Sequence, residues 1–295
     1  MYDQIASNKR KTWILIIIFI IFISALGYFL GYITNYGNGI VLVALAFSVI
    51  MALFGYFAGD KVAIWTSESQ PISKEQAPYV YRMVENLCIA GGLPMPQIYV
   101  IDSPAINAFA TGRDPKHSSI SLTTGAISKL ENEELEGVIA HELSHIKNYD
   151  IRLMTIVIIL VGMISILSDW FFRASLFGGK KSDSEGGGAG ILAIIGVILI
   201  ILSPLIAQLI KLAVSRKREY LADASGALLT RYPEGLANAL EKIKNDDSKL
   251  NAATTATAHL YISNPFKNKG TFIVGLFSTH PPLEDRIAKL RQINL

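Results

Sequence analysis

A chain of 295 residues could make two ordinary soluble domains, yet 51% of these residues are apolar and only 17% are charged, well below the roughly one quarter usual for soluble chains. The apolar excess falls in blocks, the mark of membrane spans. A formal net charge of +3, with no basic stripe interleaved with aromatics, argues against a nucleic-acid partner, and a single cysteine, Cys88, excludes an intrachain disulfide.

The first apolar block covers residues 13–33 and follows Lys9-Arg10-Lys11. It is too long for a signal-peptide core and lacks a small-residue cleavage site, so it reads as a retained span. The second covers 40–64. The short uncharged connection around Asn35, Gly37, Asn38 and Gly39 makes the pair a helical hairpin. Gly27/Gly31 and Gly55/Gly59 each form Gly-x-x-x-Gly, which permits close helix approach.

From 60 to 150 the chain is soluble in character. Ser73 followed by Gln76 reads as a capping box for a helix carrying Tyr79, Val80, Met83, Val84 and Leu87, ended by Gly91-Gly92. Cys88 is expected to pack in it as a small apolar residue, which suits a reducing compartment. Residues 97–101 and 119–123 are strand candidates, and Asn107-Ala108-Phe109-Ala110-Thr111-Gly112 between them reads as extended.

The next helix carries the chemistry. Asn132 is the expected N-cap, Glu133 and Glu134 oppose the dipole in the first turn, and Leu135, Val138, Ile139, Leu143 and Ile146 pin the helix in a core. His141 and His145, four residues apart, share one face and can reach one metal ion. Glu142 lies beside them, where a carboxylate can take a proton from an activated water. This is the His-Glu-x-x-His pattern of zinc peptidases.

A third apolar block, 153–172, starts just after Asp150. A flexible glycine-rich linker, 178–188, leads to a fourth block, 189–212, with Pro204 as a possible kink. The remainder holds a helix through Glu219, a second over 233–244, a polar stretch over 246–257 and a closing helix from Leu283. The chain thus divides into an N-terminal transmembrane hairpin (1–65), a first catalytic part (66–152), a second transmembrane hairpin (153–212) and a C-terminal catalytic part (213–295).

Catalytic zinc sites use three protein ligands and leave a fourth position for water. Candidates for the third are His117, His259, His280 and the acids of the soluble parts. Glu219 leads them, because Asp223 shares its helical face and can accept a hydrogen bond from the free ring nitrogen of a ligand histidine. Taken alone, the segment also reads as a solvated helix face.

His141-Glu142-Leu143-Ser144-His145 with Asn148 and Asp150 behind it, Ser215-Arg216-Lys217-Arg218-Glu219-Tyr220-Leu221-Ala222-Asp223, and Ser278-Thr279-His280-Pro281-Pro282 together resemble the HtpX family of membrane zinc peptidases. That family is related to the CaaX prenyl proteases and the mitochondrial Oma-type proteases. The resemblance implies a mainly α integral membrane protein with four transmembrane helices and an α+β zincin-like metallopeptidase domain. It implies one zinc per chain on His141, His145 and Glu219, Glu142 as general base, and His280 as stabiliser of the tetrahedral oxyanion. Asn107, Ala108 and Phe109 resemble the family's edge strand, where an extended substrate could add by backbone hydrogen bonds. His117 and His259 are expected to do no chemistry.

The expected protein is a multi-pass zinc endopeptidase of the inner or plasma membrane, acting in quality control and stress response on damaged membrane proteins. Its partners are the bilayer and polypeptide substrates, with no nucleic acid. The positive-inside rule puts the active site and both termini in the cytosol. A prenyl-protein processing protease is the alternative within enzymes, against which stand the short chain and only four apolar blocks. A non-catalytic scaffold with structural zinc would normally close its site with four protein ligands, frequently cysteines.

Overall fold

The computed structural model describes residues 2–34, 37, 39–177, 215–250, 252–254, 256–265 and 280–294. Three of its helices are built on long apolar runs: α1 (Tyr2–Thr34), α2 (Gly39–Thr66) and, later in the chain, α6 (Asp150–Phe177). Among the described residues these three are long and apolar enough to cross a membrane. The glycine-rich linker and the fourth apolar block expected from the sequence lie outside the described residues, which hold three of the expected four spans.

The two glycine pairs serve different contacts. Gly27 of α1 faces Ala44 of α2, whereas Gly55 and Gly59 of α2 face Ile159 and Thr155 of α6. The helices enclose a core of their own, with Leu15 and Phe19 packed near Ile156 and Leu160.

The protease unit is built on a four-stranded sheet of β1 (Gln70–Pro71), β2 (Gln97–Ile101), β3 (Ala108–Asp114) and β4 (His117–Thr123), in the order β1-β2-β4-β3. β2 and β4 run parallel, and β3 returns antiparallel to β4 with Ala108 opposite Leu122. In the β3–β4 turn the Asp114 carboxylate accepts from the His117 backbone N–H at 3.1 Å and contacts the His117 ring nitrogen at 2.9 Å. His117, the first residue of β4, therefore closes this turn.

Two helix starts differ from expectation. α3 (Pro78–Gly91) begins at a proline, which lacks the N–H that a cap would satisfy. Ser73 and Gln76 close a separate turn ahead of it, with the Ser73 N–H on Gln76 Oε1 at 2.8 Å. α4 (Thr124–Lys129) leaves β4 directly, and α5 (Asn132–Lys147) is capped by Glu131 rather than Asn132. The Glu131 N–H reaches back to Glu134 Oε2 at 2.7 Å, while Asn132 accepts a hydrogen bond from the Tyr79 hydroxyl at 2.6 Å. Cys88 is buried in α3, and burial pushes its thiol up to about 11, as expected of a packing cysteine.

α5 is the central helix. It packs between β3 and the pair α7 (Arg216–Thr230) and α8 (Pro233–Asn245), with the short α9 (Leu283–Leu290) behind them. Leu135, Ile139, Leu143 and Ile146 of α5 are buried with Ile120, Leu122, Leu236 and Leu240. Two glycines set how closely this layer packs. A Cβ on Gly137 would stand 2.7 Å from the Leu236 backbone nitrogen, and one on Gly226 would stand 3.0 Å from that of His141.

Gly137→Ala should therefore force α8 away from α5 and destabilise the protein by about 1–3 kcal/mol, the usual cost of overpacking a filled core. The melting temperature of the purified full chain in detergent checks this. An unchanged value would show that the helices do not meet backbone to backbone at this point.

Candidate active site

His141 and His145 are brought together one turn apart on α5, and α7 delivers Glu219 to them. Their donor atoms all lie within 4.8 Å of one another. His141 Nε2 and His145 Nε2 are 3.1 Å apart, and the Glu219 carboxylate oxygens stand 3.6 Å from His145 Nε2 and 3.9 Å from His141 Nε2. A tetrahedral zinc with arms of about 2.0–2.2 Å needs ligand separations of about 3.3–3.6 Å. The three residues fit such an ion with little movement.

The tautomers fit as well. The His141 Nδ1–H is directed at Asp223 Oδ1 at 2.9 Å, and the His145 Nδ1–H at Asp150 Oδ2 at 3.0 Å. Each ring thereby keeps its Nε2 lone pair for the shared point between them. Burial draws His141 down to about 4, with Arg286 adding to the effect against the Asp223 hydrogen bond. Burial also opposes charge on His145, but the Asp150 hydrogen bond and Glu219 outweigh it and lift that ring to about 9. The acids around His145 call for a positive charge, which a metal ion would supply in place of the proton.

Glu219 is ionised despite its burial, because His280, His145 and Arg286 hold it well below the usual carboxylate range. Glu142 is also buried. Desolvation pushes it up to about 7 and the Glu219 charge adds to this, while the Ala110 N–H of β3 pulls the other way. A carboxylate poised near neutrality can both take and return a proton. His280 Nδ1 lies 3.1 Å from Glu219 Oε2, and its Nε2 is buried with no hydrogen-bond partner among the described residues. Ser278 and Thr279 of the same motif lie outside the described residues.

Asp223 is fixed by a residue that the sequence reading did not single out. Arg286, wholly buried in the first turn of α9, grips it with two bonds, Nε to Oδ2 at 2.8 Å and Nη2 to Oδ1 at 2.6 Å. It donates a third to the Ile262 carbonyl at 3.0 Å and passes 3.5 Å from Glu219. The signal was present: Leu283, Ile287 and Leu290 make the apolar stripe of α9, and Arg286 falls on that stripe.

Asp150 holds the other histidine and is held in turn from α1. Asn8 donates to Asp150 Oδ1 at 2.6 Å and to the Asn148 carbonyl at 2.9 Å. Arg218 lies 3.8 Å from the same Asp150 oxygen and donates to Asn8 Oδ1 at 3.4 Å. Nothing local in the sequence marks Asn8, whose role depends on a contact spanning 142 positions.

Asn107, Ala108 and Phe109 are all buried at the start of β3. The Ile262 N–H donates to the Ala108 carbonyl at 3.0 Å, the Asn107 amide donates to the Ser263 carbonyl at 3.3 Å, and the Tyr261 ring meets Phe109 edge-on at 5.2 Å. The segment around the short turn Ala258–Leu260 thus lies alongside this strand. His259 is buried in it at 3.1 Å from the Met154 carbonyl and is not brought to the histidine pair.

The family model described as peptidase family M48 matches residues 74–294. A protease HtpX homolog of Dictyoglomus thermophilum is 45% identical over 292 residues, covering 99% of this chain and 94% of that protein. One of Caldanaerobacter subterraneus is 44% identical, covering 100% of this chain and 98% of its own length. The crystal structure of S. mikatae Ste24p superposes with a TM-score of 0.52 at 19% identity, covering 98% of this chain and 67% of that one, and so shares the fold. The chain belongs to peptidase family M48, as a membrane metallopeptidase of the HtpX type.

Proposed function

We propose that the protein is a zinc endopeptidase embedded in the membrane, with its active site facing the cytosol, that degrades damaged or misassembled membrane proteins. One observation carries the reading: two histidine Nε2 atoms converge on the Glu219 carboxylate, each ring locked from behind by its own acid, with buried Glu142 alongside. His141, His145 and Glu219 hold one zinc. Zinc bound there acts as a Lewis acid toward both the attacking water and the scissile carbonyl.

Glu142 takes the proton of the attacking water and returns it to the leaving amine. His280 donates its Nδ1–H to Glu219, so in the imidazolium form its Nε2–H, without a partner among the described residues, serves the developing oxyanion. Asp223 and Asp150 keep the two ligand rings in the metal-binding tautomer. The substrate lies extended along Asn107, Ala108 and Phe109, held through its backbone once Ile262 gives up the Ala108 carbonyl. Such recognition reads extended backbone more than side chains, which suits unfolded substrates of varied sequence.

Three connections support the proposed sidedness. Glu219 follows α6 and the fourth apolar block, yet it meets the histidines that precede both. The chain between them therefore returns to the side it left. Asn8 bonds to Asp150, so the N-terminal end of α1 lies on that same side. Lys9, Arg10 and Lys11 beside it mark the cytosol.

Glu142→Gln should abolish proteolysis of an unfolded protein substrate while zinc content stays at the parent level. The expected loss is at least the roughly 10²–10⁴-fold contribution of a general base. Cleavage at near the parent rate would remove Glu142 from the mechanism.

Glu219→Gln should lose zinc on dialysis against a mild chelator, and Asp223→Ala should weaken zinc by about 10–100-fold. Metal analysis ranks the two. A Glu219 variant that keeps zinc as the parent does would move the third ligand elsewhere.

Topology is tested with single cysteines at Ser73, Asn38 and Ser184 in a Cys88→Ala background, probed on intact cells with an impermeant thiol reagent. Position 38 should label and position 73 should not. Labelling at 73 would place the active site outside. Labelling at 184 is expected if the fourth apolar block completes a second hairpin.

A further inference from the structure

Where α1, α2 and α6 meet beside Tyr149, cations and aromatic rings form one chain of contacts. The Lys9 ammonium sits 4.2 Å from the Tyr149 ring centre, and the Arg152 guanidinium lies 4.9 Å from the same ring. Arg152 also lies 5.5 Å from the Tyr56 ring, which stacks on Trp13 at 5.9 Å. Two cations thus flank one tyrosine, and among the described residues neither is in an ion pair with a carboxylate. The mutual repulsion of such a pair is relieved by a bound anion.

Directly below lies an apolar groove of about 240 Å³ between α1 and α2. Trp13, Ile16 and Ile20 form one wall, and Ala52, Leu53 and Tyr56 the other. Tyr56 belongs to both features: it lines the groove and carries Arg152 on its ring. Trp13 is 52% exposed at the mouth, the position favoured by amphipathic aromatics at a membrane surface.

We propose that this is a binding site for one anionic phospholipid, its phosphate beside the Tyr149 ring within reach of Lys9 and Arg152 and an acyl chain in the α1–α2 groove. Charge selects the headgroup: two basic side chains with no carboxylate ion pair among the described residues favour a lipid with net negative charge over a zwitterionic one of equal chain length. The groove selects a lipid over a free anion, because apolar walls this large gain nothing from inorganic phosphate. The site is distinct from the metal centre and does not depend on the catalytic reading.

The test is native mass spectrometry of the full-length protein in detergent, titrated with dioleoyl phosphatidylglycerol and, separately, dioleoyl phosphatidylcholine. One phosphatidylglycerol should be retained, with phosphatidylcholine bound several-fold more weakly. Arg152→Gln should weaken phosphatidylglycerol roughly fivefold, and Lys9→Gln combined with it roughly 25-fold, from the usual contribution of a basic residue near an anionic lipid surface. Arg152→Lys should restore binding, since it keeps the charge. Ala52→Trp, which fills the groove, should weaken both lipids. Equal retention of the two lipids, full competition by inorganic phosphate, or failure of Arg152→Lys to rescue would each overturn the proposal. So would a protein dimer, in place of bound lipid, that Ala52→Trp dissociates.

Discussion

The structure is governed by the cost of taking a cluster of charges out of water. His141, Glu142, His145, Asp150, Glu219, Asp223, Arg218 and Arg286 are all buried, and each buried ion carries a desolvation penalty of several kcal/mol unless it is paired with good geometry. The solution has two arms. His141 is held by Asp223 and Asp223 by Arg286, while His145 is held by Asp150 and Asp150 by Asn8 and Arg218. Removing one partner of such a pair costs about 3–5 kcal/mol, because the other is left charged and alone. Each arm is thus stable only when complete.

Completing them draws on distant parts of the chain. Arg286 comes from the last helix and Asn8 from the N-terminal end of the first. The motif helix lies between them in space, pressed close to α7 and α8 where Gly226 and Gly137 let the backbones approach. In the proposed reading, a metal site assembled this way draws its supporting residues from both ends of the chain. The α1 helix belongs to the catalytic unit as well as to the membrane: Asn8 supports Asp150, and Lys9, the next residue, packs on Tyr149. Movement of α1 in the bilayer would therefore be felt at His145 through one hydrogen-bonded acid.

Much of this was legible in the residues. Spacing of four put His141 with His145 and Glu219 with Asp223, and the apolar positions of α5 gave its buried faces. Three of the four strands were visible as extended or β-branched runs, while two-residue β1 was too short to show a period. Asn132 reads as a cap by residue type, but Glu131 takes that place because Glu134 can close the capping box with it. Ser73 and Gln76 do bond, but Pro78 starts the helix after them. Arg286 shows a rule that was available: a charge on the apolar stripe of an amphipathic helix has a buried partner waiting for it. Asn8 shows the limit, since no local pattern encodes a partner 142 residues away.

The placement of β3 binds recognition to chemistry. The Asn107 carbonyl accepts the Thr123 N–H, so by the alternation of a β-strand the backbones of Ala108, Ala110 and Gly112 face away from β4. Four of their groups are already engaged, the Ala108 N–H among them, which donates to Asn107 Oδ1 at 3.0 Å. The Ala108 carbonyl takes the Ile262 N–H, the Ala110 N–H faces Glu142, and the Gly112 N–H donates to Thr155 Oγ1 at 3.2 Å. In the proposed reading a substrate strand competes with Ile262 for that edge, while Ala110 keeps its hold on the general base. The Ile262 carbonyl is meanwhile tied to Arg286, the same guanidinium that fixes Asp223. In that reading the strand that aligns the substrate, the acid that moves the proton and the arm that orients His141 share one frame. Peptide hydrolysis needs such a shared frame, because a displacement of about 1 Å in the reacting geometry can cost 10²-fold in rate.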